Sequence, residues 1–146
     1  MTFELPIRLI LVEPPAGVDF GIQKGKGVAY ETLFVQRRRQ GDISFDFSLT
    51  AKQNRTDGPP NVTGPLAQGP SAGRFIYVDV GTCAGQNDTP WSRRIKVPLE
   101  GISWALVEKV VNRPGHALLA RVPGAGKDGS PSCATVTLLG DWEIVS

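Results

Sequence analysis

The chain reads as mainly β: an antiparallel β-sandwich or a partly closed β-barrel carrying one short α-helix at about residues 102–112. Three observations lead there. Apolar residues alternate with polar ones over several short stretches, the mark of strands with one face on a core. The 17 glycines and 12 prolines fall between those stretches, where turns would be. Only one segment breaks the alternation with helical spacing. With 146 residues, one globular domain spanning 1–146 is expected, large enough to bury a core unaided.

The first strand candidate is Phe3 to Leu11, with Leu5, Ile7 and Leu9 alternating with Glu4, Pro6 and Arg8. Ile10 and Val12 make both faces apolar at its end, and Pro14-Pro15 breaks it. A second candidate runs from Val28 to Gln36 into Arg37-Arg38-Arg39. The clearest pattern is Ile43 to Leu49, with Ile43, Phe45, Phe47 and Leu49 opposed to Ser44, Asp46, Ser48 and Thr50. Residues 34–43 therefore read as a hairpin tip carrying the three arginines. Residues 51–72 lack periodicity and read as a long loop, a length usually tied to function or disorder. Gly73 to Val80 and Trp91 to Leu99 read as strands around the glycine-rich loop 81–90. In the second of these, Arg94 and Lys96 share the face opposite Ile95 and Val97.

Ile102, Leu106 and Val110, with Val107 and Val111, recur every four residues, so 102–112 reads as the helix. Ser103 is placed to cap its start, and Asn112-Arg113-Pro114-Gly115 to stop it. Strands at 117–122, 134–139 and 142–145 complete the expected set.

Composition narrows the function classes. A net charge of +2 lacks the concentrated basic field that nucleic acid or an anionic membrane usually demands. No apolar run approaches the ~20 residues of a membrane span, and Glu4, Pro6 and Arg8 interrupt any signal-like start. A cytoplasmic protein is the expectation. Cys83 and Cys133, 50 positions apart, read by default as buried free thiols in a reducing compartment, with a disulfide between them as the alternative. With a single histidine and no carboxylate cluster, neither a metal centre nor a cofactor is expected.

Several motifs have plain readings. Gly124 to Gly129 matches G-x-G-x-x-G, but a strand follows instead of the helix whose N-terminus would hold a pyrophosphate. His116 follows a Pro-Gly turn without a visible catalytic partner. Asp42 and Asp46 face the same side of a strand about 13 Å apart, too wide for shared acid–base work.

What survives is the region from Asn61 to Lys96. It sets Gln68, Arg74, Tyr77, Gln86, Asp88, Trp91, Arg94 and Lys96 among glycines that allow close backbone approach. Arg94 and Lys96 suit an anion, Gln68 and Gln86 supply orienting amides, and Tyr77 and Trp91 offer flat surfaces. A small anionic or polar ligand is the expected partner, in a pocket built from loops 61–72 and 81–90 and strand 91–98. The structural alternative pairs Arg93 or Arg94 with Asp79, Asp88 or Glu100. Two other classes stay open. One is a small hydrolase or isomerase with Asp79 or Asp88 as base and an arginine on the oxyanion; the other is a protein-interaction or homo-oligomeric β domain.

Seven segments together resemble a family of small bacterial proteins known only as a domain of unknown function. They are LPIRL (5–9), GVDF (17–20), GPLAQGP (64–70), GRFIYV (73–78), GTCAGQ (81–86), WSRRIK (91–96) and DGSPSCA (128–134). The resemblance covers nearly the whole chain and implies a bacterial, cytosolic, single-domain protein. It implies no activity, cofactor or site residue.

Overall fold

A computed structural model describes residues 2–14, 19–23, 32–35, 41–53, 58–64, 66–67, 74–81, 93–123, 134–135 and 138–146. The described chain is mainly β, arranged as two five-stranded sheets and one helix, and neither sheet closes into a barrel.

The first sheet is built around the N-terminal strand. Strand β1 (Thr2–Val12) lies between β4 (Ile43–Lys52) and β8 (Ala117–Pro123); β10 (Glu143–Val145) and β5 (Asn61–Thr63) form the edges, giving the order β10-β8-β1-β4-β5. The alternation in β1 holds strictly: Leu5, Ile7, Leu9 and Leu11 are fully buried, and the residues between them face outward. Pro6 pairs with Ser48 of β4 but precedes the start of the β8 pairing at Ile7. A residue lacking an N–H is tolerated there, where the second neighbour is absent. Beyond Val12 the chain turns at Glu13, whose φ is +47°, with its N–H donated to the Asp42 carboxylate at 2.9 Å.

The second sheet has the order β3-β2-β6-β7-β9, from β2 (Asp19–Gln23), β3 (Thr32–Val35), β6 (Phe75–Gly81), β7 (Arg93–Pro98) and β9 (Ala134–Thr135). Phe20, Ile22, Ile76, Val78, Ile95 and Val97 supply its inner face and join residues of the first sheet in one core. That arrangement is sandwich-like. Most neighbours run antiparallel, as expected, but β1 with β8 and β7 with β9 are parallel.

Helix α1 (Trp104–Val111) matches the sequence reading to within two residues. Ser103 Oγ accepts from Leu106 N at 3.3 Å, the expected cap, and Asn112 ends the helix. Val107 and Val110 enter the core, where α1 packs against β1, β8 and β10. The Trp104 ring meets Phe3 edge-on at 6.1 Å, and its indole N–H donates to Gly58 O at 2.8 Å.

Several expectations need correction. Residues 34–43 do not tip a hairpin, because β3 pairs with β2 in the second sheet while β4 pairs with β1 and β5 in the first. Residues 51–72 are not uniformly irregular: β4 extends to Lys52, and Asn61–Thr63 pairs with Thr50–Lys52 as β5. Three residues are too few to show a period, and only Val62 is buried to betray them. Strand β2 went unread for a similar reason, its apolar pair Phe20 and Ile22 being flanked by Asp19, Gly21 and Gln23. The second strand candidate, 28–36, is represented among the described residues by β3 alone.

Candidate functional site

Strands β6 and β7 bring the site candidates together by register. Tyr77 lies directly opposite Lys96, and Asp79 directly opposite Arg94. Because side chains alternate in direction, Tyr77 and Lys96 stand on the outer face of the second sheet, away from Ile76, Val78, Ile95 and Val97. Phe75, two residues before Tyr77, stands on that same face. The Lys96 ammonium sits over its ring, 5.4 Å from the centroid. All three residues are half-buried. Positions 79 and 94 continue the same face by backbone alternation.

Toward β2 this face meets a glycine. Gly21 pairs with Asp79 on one side and Phe34 on the other, and it is buried. The face is therefore covered at that point, although glycine contributes no side chain of its own.

Arg74 belongs elsewhere. It precedes β6, its carbonyl accepts from Leu99 N at 3.1 Å, and its Nε donates to Asn61 Oδ1 at 3.4 Å. Asn61 is on β5, at the edge of the first sheet. Arg74 thus ties one sheet to the other and stands apart from the Tyr77–Lys96 pair. Of the remaining candidates, Gln68, Gln86, Asp88 and Trp91 lie outside the described residues, as do residues 65, 68–72 and 82–90. The arginine run 37–39, the 124–129 loop, Cys83 and Cys133 also lie outside them.

The plain readings of two other groups agree with the structure. Asp46 accepts from Arg8 Nε at 2.8 Å across β1 and β4, and Asp42 takes the Glu13 N–H, so the two aspartates do separate structural work. The His116 ring lies 3.3 Å from Pro114 O, beside a turn closed by His116 N donating to Arg113 O. Among the described residues no three metal-ligating side chains come together, and no helix is long and apolar enough to cross a membrane.

The contribution of Phe75 was missed. The alternation of 73–80 puts it beside Tyr77, but its use as a seat for Lys96 depends on how β6 and β7 are registered.

No curated protein and no solved structure matches the chain. A family model does, over residues 5–145. That match takes in both sheets and the helix, and by it the chain belongs to DUF5990, a family of unknown function.

Proposed function

We propose that this protein is a non-enzymatic binding domain for a small anionic or polar molecule, which lies on the outer face of the second sheet across β6 and β7. The observation that carries the reading is the Tyr77–Lys96 cross-strand pair with the Lys96 ammonium resting on Phe75. It gathers a cation and two aromatic rings on one half-buried face, and Arg94 stands two residues along β7. Cations near flat apolar surface recognise anions with some desolvation, where each charge-assisted hydrogen bond is worth about 1.5–3 kcal/mol. Gln68, Gln86, Asp88 and Trp91 are carried in the proposal as further contacts. Arg74 is left out of the ligand shell, since it already holds Asn61. A bacterial, cytoplasmic setting is part of the proposal and rests on the resemblance set out above.

The test is a screen of small metabolites by thermal shift. A ligand is expected to raise the melting temperature, and Lys96→Ala and Arg94→Ala each to weaken it by about tenfold or more. Arg8→Ala, on the opposite sheet, should leave affinity unchanged. If no compound moves the midpoint, or if affinity survives both substitutions on β7, the protein does not bind there.

A further inference from the structure

We infer that the ligand of this face is a planar anion, an aromatic or conjugated carboxylate, recognised by Phe75 and Lys96 acting as a unit; the inference rests on the binding role proposed above. Lys96 lies opposite Tyr77, yet its ammonium leans diagonally to Phe75, whose own cross-strand partner is Pro98. Pro98 brings no charge to that position. A ring face and an ammonium thus lie within one small molecule's reach, at 5.4 Å.

The two groups ask for different things. The ring face favours a flat partner at about 3.5 Å, where dispersion is strongest. The ammonium favours a carboxylate oxygen at about 2.8 Å. A molecule whose acid is joined directly to a flat ring satisfies both by displacing the ammonium sideways. The four-carbon stem of lysine allows that movement without a backbone shift. Phosphate and acetate satisfy only the ammonium, and a puckered ring stacks poorly.

Chemical-shift mapping on the full chain tests this with benzoate, cyclohexanecarboxylate, acetate and inorganic phosphate as probes. Benzoate is expected to perturb the amides of Phe75, Tyr77 and Lys96 and to bind about tenfold tighter than cyclohexanecarboxylate. Lys96→Gln should abolish benzoate binding, and Phe75→Leu should erase the preference for the flat ring. Phe75→Tyr, which keeps the ring, should retain that preference and serves if the leucine variant folds poorly. Perturbation of these amides by phosphate or acetate but not by benzoate would overturn the planar class and leave the anion-binding reading standing. Benzoate shifts scattered elsewhere, or none at all, would also overturn the planar class. The metabolite screen then decides the broader role independently.

Discussion

On the outer face of the β1 sheet, each described arginine of a strand meets a carboxylate on the neighbouring strand, Arg8 with Asp46 and Arg121 with Glu143. On the outer face of the β6–β7 pair, Lys96 instead rests over the ring of Phe75. The first face also runs Ser44, Asp46 and Ser48 along β4, all exposed. Its Leu119, paired with Arg8 and Glu143, is only 2% exposed although it points away from the main core. The stems of long charged neighbours cover apolar groups in this way. Those two ion pairs satisfy their charges within the protein. A cation held by a ring keeps its capacity to meet an anion, because an aromatic quadrupole leaves the full positive charge in place. The difference teaches that alternating strands alone do not mark a site; a cation seated on an aromatic ring is the feature that sets the β6–β7 face apart.

Several measurements can break or sharpen this contrast. The largest effect separates inner from outer positions: Leu9→Ala should lower unfolding free energy in urea by about 2–5 kcal/mol. Its neighbour Arg8→Ala should cost no more than about 1 kcal/mol. An Arg8 cost as large as that of Leu9 would mean that the outer face of the first sheet is not a solvent face. Next, Asn61→Ala and Arg74→Ala should each cost about 0.5–1.5 kcal/mol, since each removes the same intersheet hydrogen bond. Their double mutant should cost less than the sum of the two. An Arg74 change that weakens ligand binding without loss of stability would return Arg74 to the site.

The smallest effects compare the faces directly through double-mutant cycles. Coupling between Arg8 and Asp46 is expected at about 0.2–1 kcal/mol, shrinking in high salt. Coupling between Phe75 and Lys96 is expected at about 0.5–1 kcal/mol in the free protein. A bound planar anion should reduce the second coupling and leave the first untouched.

Much of this architecture is readable from the chain. Strands β1, β4, β6 and β7 and helix α1 each expose one apolar period to a single core, and that period survives in the sequence. Strands β2 and β5 were invisible because they are short and owe their existence to backbone pairing with longer neighbours. The site was legible only as far as one strand reaches. Lys96 and Tyr77 announce themselves by type, but the partnership of Lys96 with Phe75 and of Arg74 with Asn61 is decided between strands. Cross-strand register is long-range information that local spacing does not contain.

The parallel pairing of β1 with β8 carries a consequence for how this chain is made. Strand β1 precedes the other described strands in chain order yet occupies the middle of its sheet, and one flank stays open until residues 117–123 have been synthesised. Until then, the core that Leu5, Ile7, Leu9 and Leu11 share lacks Leu118, Ala120 and Val122. Nascent chains stalled before residue 117 should accordingly bind holding chaperones, and release should coincide with emergence of residues 117–123.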